Sequence, residues 1–125
     1  MVLQAIMKCP LTNKRAGQTP SVKHEFYVHW LIQRLAEKGY VLRKNKVGAD
    51  IEIPALKTAI EVELGTSNIE WNIHRNLQES NRVLVCSDDK MVLDRVRDLC
   101  RRKERRNVFV CQISEAPELF ASDLN

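Results

Sequence analysis

Carboxylates alternate with aliphatic side chains in two short stretches, Ala49-Asp50-Ile51-Glu52-Ile53-Pro54 and Ala59-Ile60-Glu61-Val62-Glu63-Leu64-Gly65. Successive side chains on a strand point to opposite faces. Read as strands, these segments place Asp50 and Glu52 on one face, as they do Glu61 and Glu63. Ile51, Ile53, Ile60, Val62 and Leu64 then face the other way. With Pro54-Ala55-Leu56-Lys57 as the turn, a tight hairpin sets Asp50 opposite Glu61. Like charges directly across a sheet repel, and carboxylates gathered from neighbouring strands make an oxygen donor set for Mg²⁺ or Mn²⁺. The solvated polar face of an amphipathic hairpin has the same pattern, so the spacing leaves both readings open.

The surrounding chain must hold this hairpin in place. Residues 1–20 mix Lys, Thr, Asn, Gly and two prolines and read as an N-terminal arm with a strand-like start. Ser21 is a helix N-cap, Glu25 lies in the first turn where its charge complements the dipole, and Gly39 ends a helix over 22–38. Phe26, Trp30, Ile32 and Leu35 are its expected apolar stripe. Three strands follow, over 40–43, 50–53 and 58–64. Thr66 or Ser67 is expected to cap a second helix over 68–80, with Ile69, Ile73 and Leu77 inward. The apolar run 82–87 reads as a strand buried on both faces. Asp89 caps a third helix to about Lys103, with Met91, Val92, Val96 and Leu99 inward, and 107–113 reads as another buried strand. Residues 114–125 form a tail docked through Leu119 and Phe120. The order predicts a mixed sheet with helices on both faces.

At 125 residues the chain reads as one domain over 21–113 between the arm and the tail. No apolar run reaches the ~20 residues that cross a bilayer, and the apolar start at 1–7 is short for a secretory signal. Cytoplasmic location without membrane contact is the expectation. Cys9, Cys86, Cys100 and Cys111 show no C-x-x-C pair and no close histidine, which argues against a zinc site or disulfide framework. Cys86 and Cys111 sit in strand-like runs where free cysteine behaves as a small hydrophobe. Cys9-Pro10 fits the end of a motif cut off upstream, as in a fragment of a longer protein. The net charge is a modest +4, but Arg95, Arg97, Arg101, Arg102, Lys103, Arg105 and Arg106 crowd one region, and Lys8, Lys14, Arg15 and Lys23 mark the other end. Such clusters are the electrostatic footprint of a polyanion-binding protein or, equally, a solvated charged surface.

A leading helix with an early Glu, a hairpin giving Asp50-x(10)-Glu61-x-Glu63, then a helix and a buried strand resembles the PD-(D/E)xK nuclease superfamily. Restriction endonucleases and archaeal Holliday-junction resolvases are its familiar members. The resemblance spans about residues 21–87. The run Ala59-Ile60-Glu61-Val62-Glu63-Leu64-Gly65-Thr66-Ser67, followed by Asn72-Ile73 and Asn76-Leu77, is similar to a largely archaeal subgroup whose third strand reads I-E-V-E-x-G-K-S. That subgroup includes the ends of DNA-translocating ATPases.

The resemblance implies a restriction endonuclease-like αβββαβ core with one extra helix and strand at the C-terminus, acting as a Mg²⁺-dependent (or Mn²⁺-dependent) DNA endonuclease. It implies catalytic roles for Glu25, Asp50, Glu61 and Glu63. Glu25, Asp50, Glu61 and the Val62 carbonyl would be metal ligands. Lys23, His24, Ser67, Asn72, Arg75, Arg101, Arg102 and Lys103 are the expected nucleic-acid contacts. Because cutting two strands needs two sites, the resemblance implies a homodimer, and its ATPase relatives imply an associated ATPase or helicase. Three departures stand out. Glu63 occupies the family's lysine position, Thr66 the subgroup's lysine position, and Ala49 the usual proline. Without an ammonium, Glu63 is left as a base or part of a second metal site. The alternative is a catalytically degenerate module that binds nucleic acid or serves as an interaction domain of a larger DNA-processing protein. His29, Trp30 and Trp71 read as packing residues, with stacking on a base as the alternative for Trp71, His74 as solvated, and Asp88-Asp89 as a cap.

Overall fold

Extended backbone at Ser21 gives way to helix α1 (Val22–Glu37), and the Ser21 hydroxyl accepts the His24 N–H at 3.2 Å, as an N-cap does. The computed structural model describes residues 21–44, 48–65 and 67–122. Gly39, at a left-handed φ of 96°, turns the chain out of α1. The buried stripe of α1 is Val28, Leu31, Ile32 and Leu35, which follows the i, i+3, i+4, i+7 rule with aliphatic residues alone. Facing those four to the sheet turns Phe26 outward, 61% exposed, and leaves Trp30 partly buried under the Arg34 guanidinium. The expected stripe through Phe26 is therefore corrected. The same rotation puts His24 and Glu25 on the sheet-facing side of the first turn, one helical turn before Val28.

The hairpin pairs β1 (Ile51–Ile53) with β2 (Thr58–Val62) in the register Ile51↔Ile60, Glu52↔Ala59 and Ile53↔Thr58. A single turn of 3₁₀ helix, Pro54–Leu56, joins them, with Lys57 left-handed at φ 50°. The strand expected over 40–43 is reduced to one bridge, Arg43 to Glu52, while Tyr40 and Leu42 lay their side chains on the core. Two crossovers follow. Helix α2 (Ile69–Glu79) leads to β3 (Arg82–Ser87), and α3 (Lys90–Arg102) leads to β4 (Val108–Gln112). The sheet order is β1-β2-β3-β4, with β1 antiparallel to β2 and the remaining pairs parallel.

The two-residue period divides the core. Ile51, Ile53, Ile60, Val62, Leu84, Cys86 and Cys111 meet α1 and the C-terminal helix α4 (Ala116–Ser122) on one face. Ala59, Val83, Val85 and Ile73 meet Val92, Val96 and Cys100 on the other. The chain is thus an α/β protein with helices on both faces of a four-stranded mixed sheet. Details differ from expectation where local signals compete. Asn68, not Ser67, caps α2 by accepting the Trp71 N–H at 3.1 Å; Thr66 lies outside the described residues. Met91 is 76% exposed, and Leu93 takes its place in the core. β4 is an edge strand with Phe109 partly exposed, whereas β3 is the buried one. The segment expected as a tail contributes α4, whose Phe120 is fully buried and whose carbonyl accepts the Tyr40 hydroxyl at 2.9 Å. The arm over 1–20, with Cys9, lies outside the described residues. Among the described residues Cys86, Cys100 and Cys111 are free and buried, Cys86 and Cys111 in the strands where the sequence placed them. Burial pushes the Cys86 thiol far above its ordinary value and the Cys111 thiol up to about 12, so both stay protonated and inert. Among the described residues no helix is long and apolar enough to cross a membrane.

Candidate functional site

The acidic face of the hairpin is covered, not solvated. Glu52, Glu61 and Glu63 are all buried, and each finds a different partner. Glu52 meets Arg43 in a two-pronged pair at 2.8 Å, a structural bond at the sheet edge. Glu61 lies under α2, where Asn76 Nδ2 donates to its carboxylate at 2.7 Å and an Arg75 Nη2 stands 3.9 Å away.

Asp50 closes the open end of the hairpin. Continuing the strand register by one residue sets it opposite Glu61. In parallel pairing, alternate residues bond the neighbouring strand. Glu63 N–H donates to the Cys86 carbonyl, so the Val62 peptide faces β1. Its N–H donates to Asp50 Oδ2 at 2.9 Å, and its carbonyl lies on that same edge. His24 Nε2 also donates to Asp50 Oδ2 at 3.1 Å, and Lys44 Nζ lies 3.9 Å from Oδ1.

Electrostatics separates the two carboxylates. Burial is the largest influence on Asp50 and opposes its ionisation. The His24 bond and charge, Lys44 and the Val62 N–H outweigh it and hold Asp50 below its ordinary 3.8. For Glu61, burial first and the Asp50 charge second push the carboxyl from 4.5 up to about 8, against the weaker pull of Asn76 and Arg75. At neutral pH one member is ionised and the other holds its proton, the division of labour found in acid–base pairs. His24 shows the complementary effect. Burial lowers it, but bonds to Asp50 and Glu25 win and raise it to about 10. The resulting imidazolium bridges Asp50 and Glu25 Oε2, the latter at 3.3 Å. Glu25 Oε1 is buried with no hydrogen-bond partner among the described residues.

Glu63 does not join this group. β2 ends at Val62, and Gly65, at φ 99°, has already turned the chain away. The Glu63 carboxylate instead accepts the Gly65 N–H at 2.7 Å and the Ser67 hydroxyl, and Asn72 Nδ2 donates to that hydroxyl at 3.3 Å. Glu63, Ser67 and Asn72 thus form a brace for the β2–α2 loop. A cleft of about 340 Å³ beside this brace is lined by Glu63, Gly65, Ser67, Val92, Arg95 and Leu99 among others, and by none of Glu25, Asp50 or Glu61. The volume and the acid pair are separate features.

The basic residues expected to contact nucleic acid are largely paired within the chain. Lys23 meets Asp88 at 2.7 Å, Arg101 and Arg102 both meet Asp98 at 3.0 Å, and Lys103 meets Glu70 at 3.5 Å. Asp89 caps α3 as expected. His24 and Arg75, by contrast, reach the acid pair. Lys44 and Asn76 were assigned no role from sequence. Asn76 was detectable as a polar residue adjoining the Ile73/Leu77 face of α2; Lys44 gave no local signal.

Among the described residues no group of three or more His, Cys, Asp or Glu side chains is arranged as a metal cage. The donor chemistry nevertheless fits a hard divalent ion. Asp50, Glu61, the Val62 carbonyl and the unpartnered Glu25 Oε1 are all oxygen donors, and a cationic imidazolium already spans two of these carboxylates. Fold and site together define an α/β protein with a covered Asp–Glu pair at the open end of its hairpin. Compared with protein-family models, curated protein sequences and solved structures, the chain matches none.

Proposed function

We propose that this chain is a divalent-metal-dependent DNA endonuclease of the PD-(D/E)xK type, hydrolysing phosphodiesters at Asp50 and Glu61. The observation that carries the reading is the covered pair itself, whose neighbouring carboxyls are driven to opposite protonation states. Asp50, Glu61, Glu25 and the Val62 carbonyl would hold Mg²⁺ or Mn²⁺. Such an ion, when bound, supplies a nucleophile at neutral pH and offsets phosphate charge. The chain's own groups do the rest. The Val62 N–H and His24 fix the Asp50 carboxylate in orientation. Asn76 Nδ2 holds the Glu61 carboxylate in place by donating to it. Arg75 and Lys44 bring positive charge to a site that must receive a phosphate, a task Glu63 cannot perform. A cytoplasmic homodimer working with an ATPase or helicase belongs to the same proposal.

The test incubates purified protein with supercoiled, linear and branched DNA plus Mg²⁺ or Mn²⁺. Cleavage is expected to vanish in Asp50→Ala and in Glu61→Ala; nicking that persists in both rejects the site. A second reading is favoured by the engagement of Glu63 in bracing Gly65 and Ser67, which leaves the family's lysine position without a catalytic group. It is a nuclease-fold module that binds nucleic acid without cutting it. Calorimetry showing DNA affinity with neither divalent-ion binding nor turnover selects that reading.

A further inference from the structure

Trp71 is 55% exposed, an unusual state for the largest apolar side chain. Its position gives that exposure a direction. The β2–α2–β3 crossover runs α2 back along the sheet, so the first turn of α2 lies near the ends of the parallel strands from which Glu61 and Val62 project. Trp71 is the third residue of α2 and shares a helix side with Arg75, one turn on. Arg75 in turn reaches toward Glu61, with Nη2 3.9 Å from the carboxylate and a buried Nε that has no partner among the described residues. The His74 imidazole, with its centroid 6.1 Å from the indole at a 32° tilt, supports the indole from one side. Trp71 is an open aromatic ring with a cation one turn away, and that cation points toward the buried Glu61.

We infer that Trp71 is a stacking platform for a DNA base displaced from the double helix, with Arg75 receiving the adjoining phosphate; this rests on the nuclease reading above and specifies its substrate as DNA with an unpaired nucleotide near the scissile bond. Every base presents a π-face, so stacking on an exposed indole is tolerant of sequence, and a neighbouring guanidinium matches the phosphate that follows each base. A duplex keeps its bases stacked on one another and offers this ring nothing comparable. The occupant is therefore a frayed, branched or single-stranded segment. The Arg75 guanidinium one turn from the ring matches an occupant that carries a phosphate next to its stacked group, as a nucleotide does.

The experiment uses fluorescence, without divalent ions. The chain has two tryptophans, and Trp30→Phe leaves Trp71 as sole reporter. Titration of that variant with oligo-dT is expected to quench its emission. In labelled oligo-dT anisotropy, Trp71→Ala is expected to bind about 5- to 150-fold more weakly than wild type, and Trp71→Phe to recover most of the loss. With Mg²⁺ or Mn²⁺ present, Trp71→Ala is expected to lose any preference for branched over perfect duplex DNA. Unchanged oligo-dT affinity in Trp71→Ala, or an absence of quenching, overturns the inference. Quenching that follows protein concentration and not DNA assigns the ring to self-association and overturns it too. Cleavage that requires Asp50 but ignores Trp71 defeats this inference and leaves the nuclease reading standing. Trp71-dependent binding without cleavage does the reverse.

Discussion

Replacing Glu61 with Gln should stabilise the protein while removing the proposed activity. Asn76 can still donate to the amide oxygen of Gln, and Gln cannot ionise. Burial and the Asp50 charge raise the Glu61 carboxyl from 4.5 to about 8. The folded state therefore holds a proton that the unfolded chain releases above pH 4.5. Stability must fall as pH rises through this window and level off above the folded value. At about 1.4 kcal/mol per tenfold change in proton affinity, the penalty grows from near zero at pH 4 to about 3 kcal/mol at pH 7 and about 5 kcal/mol at pH 9. His24, raised from 6.5 to about 10, adds a loss of the same sign between those values, so the difference between wild type and Glu61→Gln isolates the Glu61 part. Urea melts of both proteins from pH 4 to pH 9, without divalent ions, measure it. The curves are expected to coincide near pH 4 and diverge upward for Glu61→Gln, with a midpoint gain of ~10 °C or more in parallel thermal melts at pH 9. Adding Mn²⁺ should recover stability in wild type alone. Parallel curves, or a Glu61→Gln protein that is the weaker at pH 9, would refute the premise that Asp50 and burial strain this carboxylate.

The other predictions concern the supports of the site. Phe120→Ala, which empties a fully buried position against α1 and Tyr40, should cost about 3–5 kcal/mol in denaturant unfolding. Glu63→Ala should cost about 1–3 kcal/mol by stranding the Gly65 N–H and the Ser67 hydroxyl, while metal-dependent cleavage survives; complete loss of cleavage in a folded Glu63→Ala protein would return Glu63 to the catalytic set. Lys44→Ala should lower DNA cleavage by an order of magnitude or more if Lys44 supplies charge for the phosphate, and should move the Asp50 carboxyl upward by removing a nearby positive charge.

The local grammar of the chain was legible without coordinates. Alternation at 50–53 and 58–64 assigned each side chain to its face. Ser21, Gly39 and Asp89 bounded helices because caps satisfy backbone groups that only local residues can reach. What escaped depends on contacts distant in sequence. The stripe of α1 is set by the face that meets the sheet, which carries Val28, Leu31, Ile32 and Leu35 and not Phe26. The contact between His24 and Asp50 joins positions that no short motif relates, and Lys44 reaches the site from a segment whose own pattern suggested only a strand. Glu63 shows the limit of periodicity. Alternation assigns it to the face of Glu61, but the strand stops at Val62, and beyond that point the period no longer predicts direction. Phe120 docks as its sequence suggested, but from a helix, α4, that packs beside α1.

The central claim concerns a cation at the acid pair, and anomalous diffraction from a Mn²⁺-soaked crystal measures it directly. The account predicts a peak in contact with carboxylate oxygens of both Asp50 and Glu61, with the His24 ring displaced from Asp50 and the peak absent in Asp50→Ala. Anomalous density confined to other acidic residues, at a Mn²⁺ concentration that supports DNA cleavage, would contradict it.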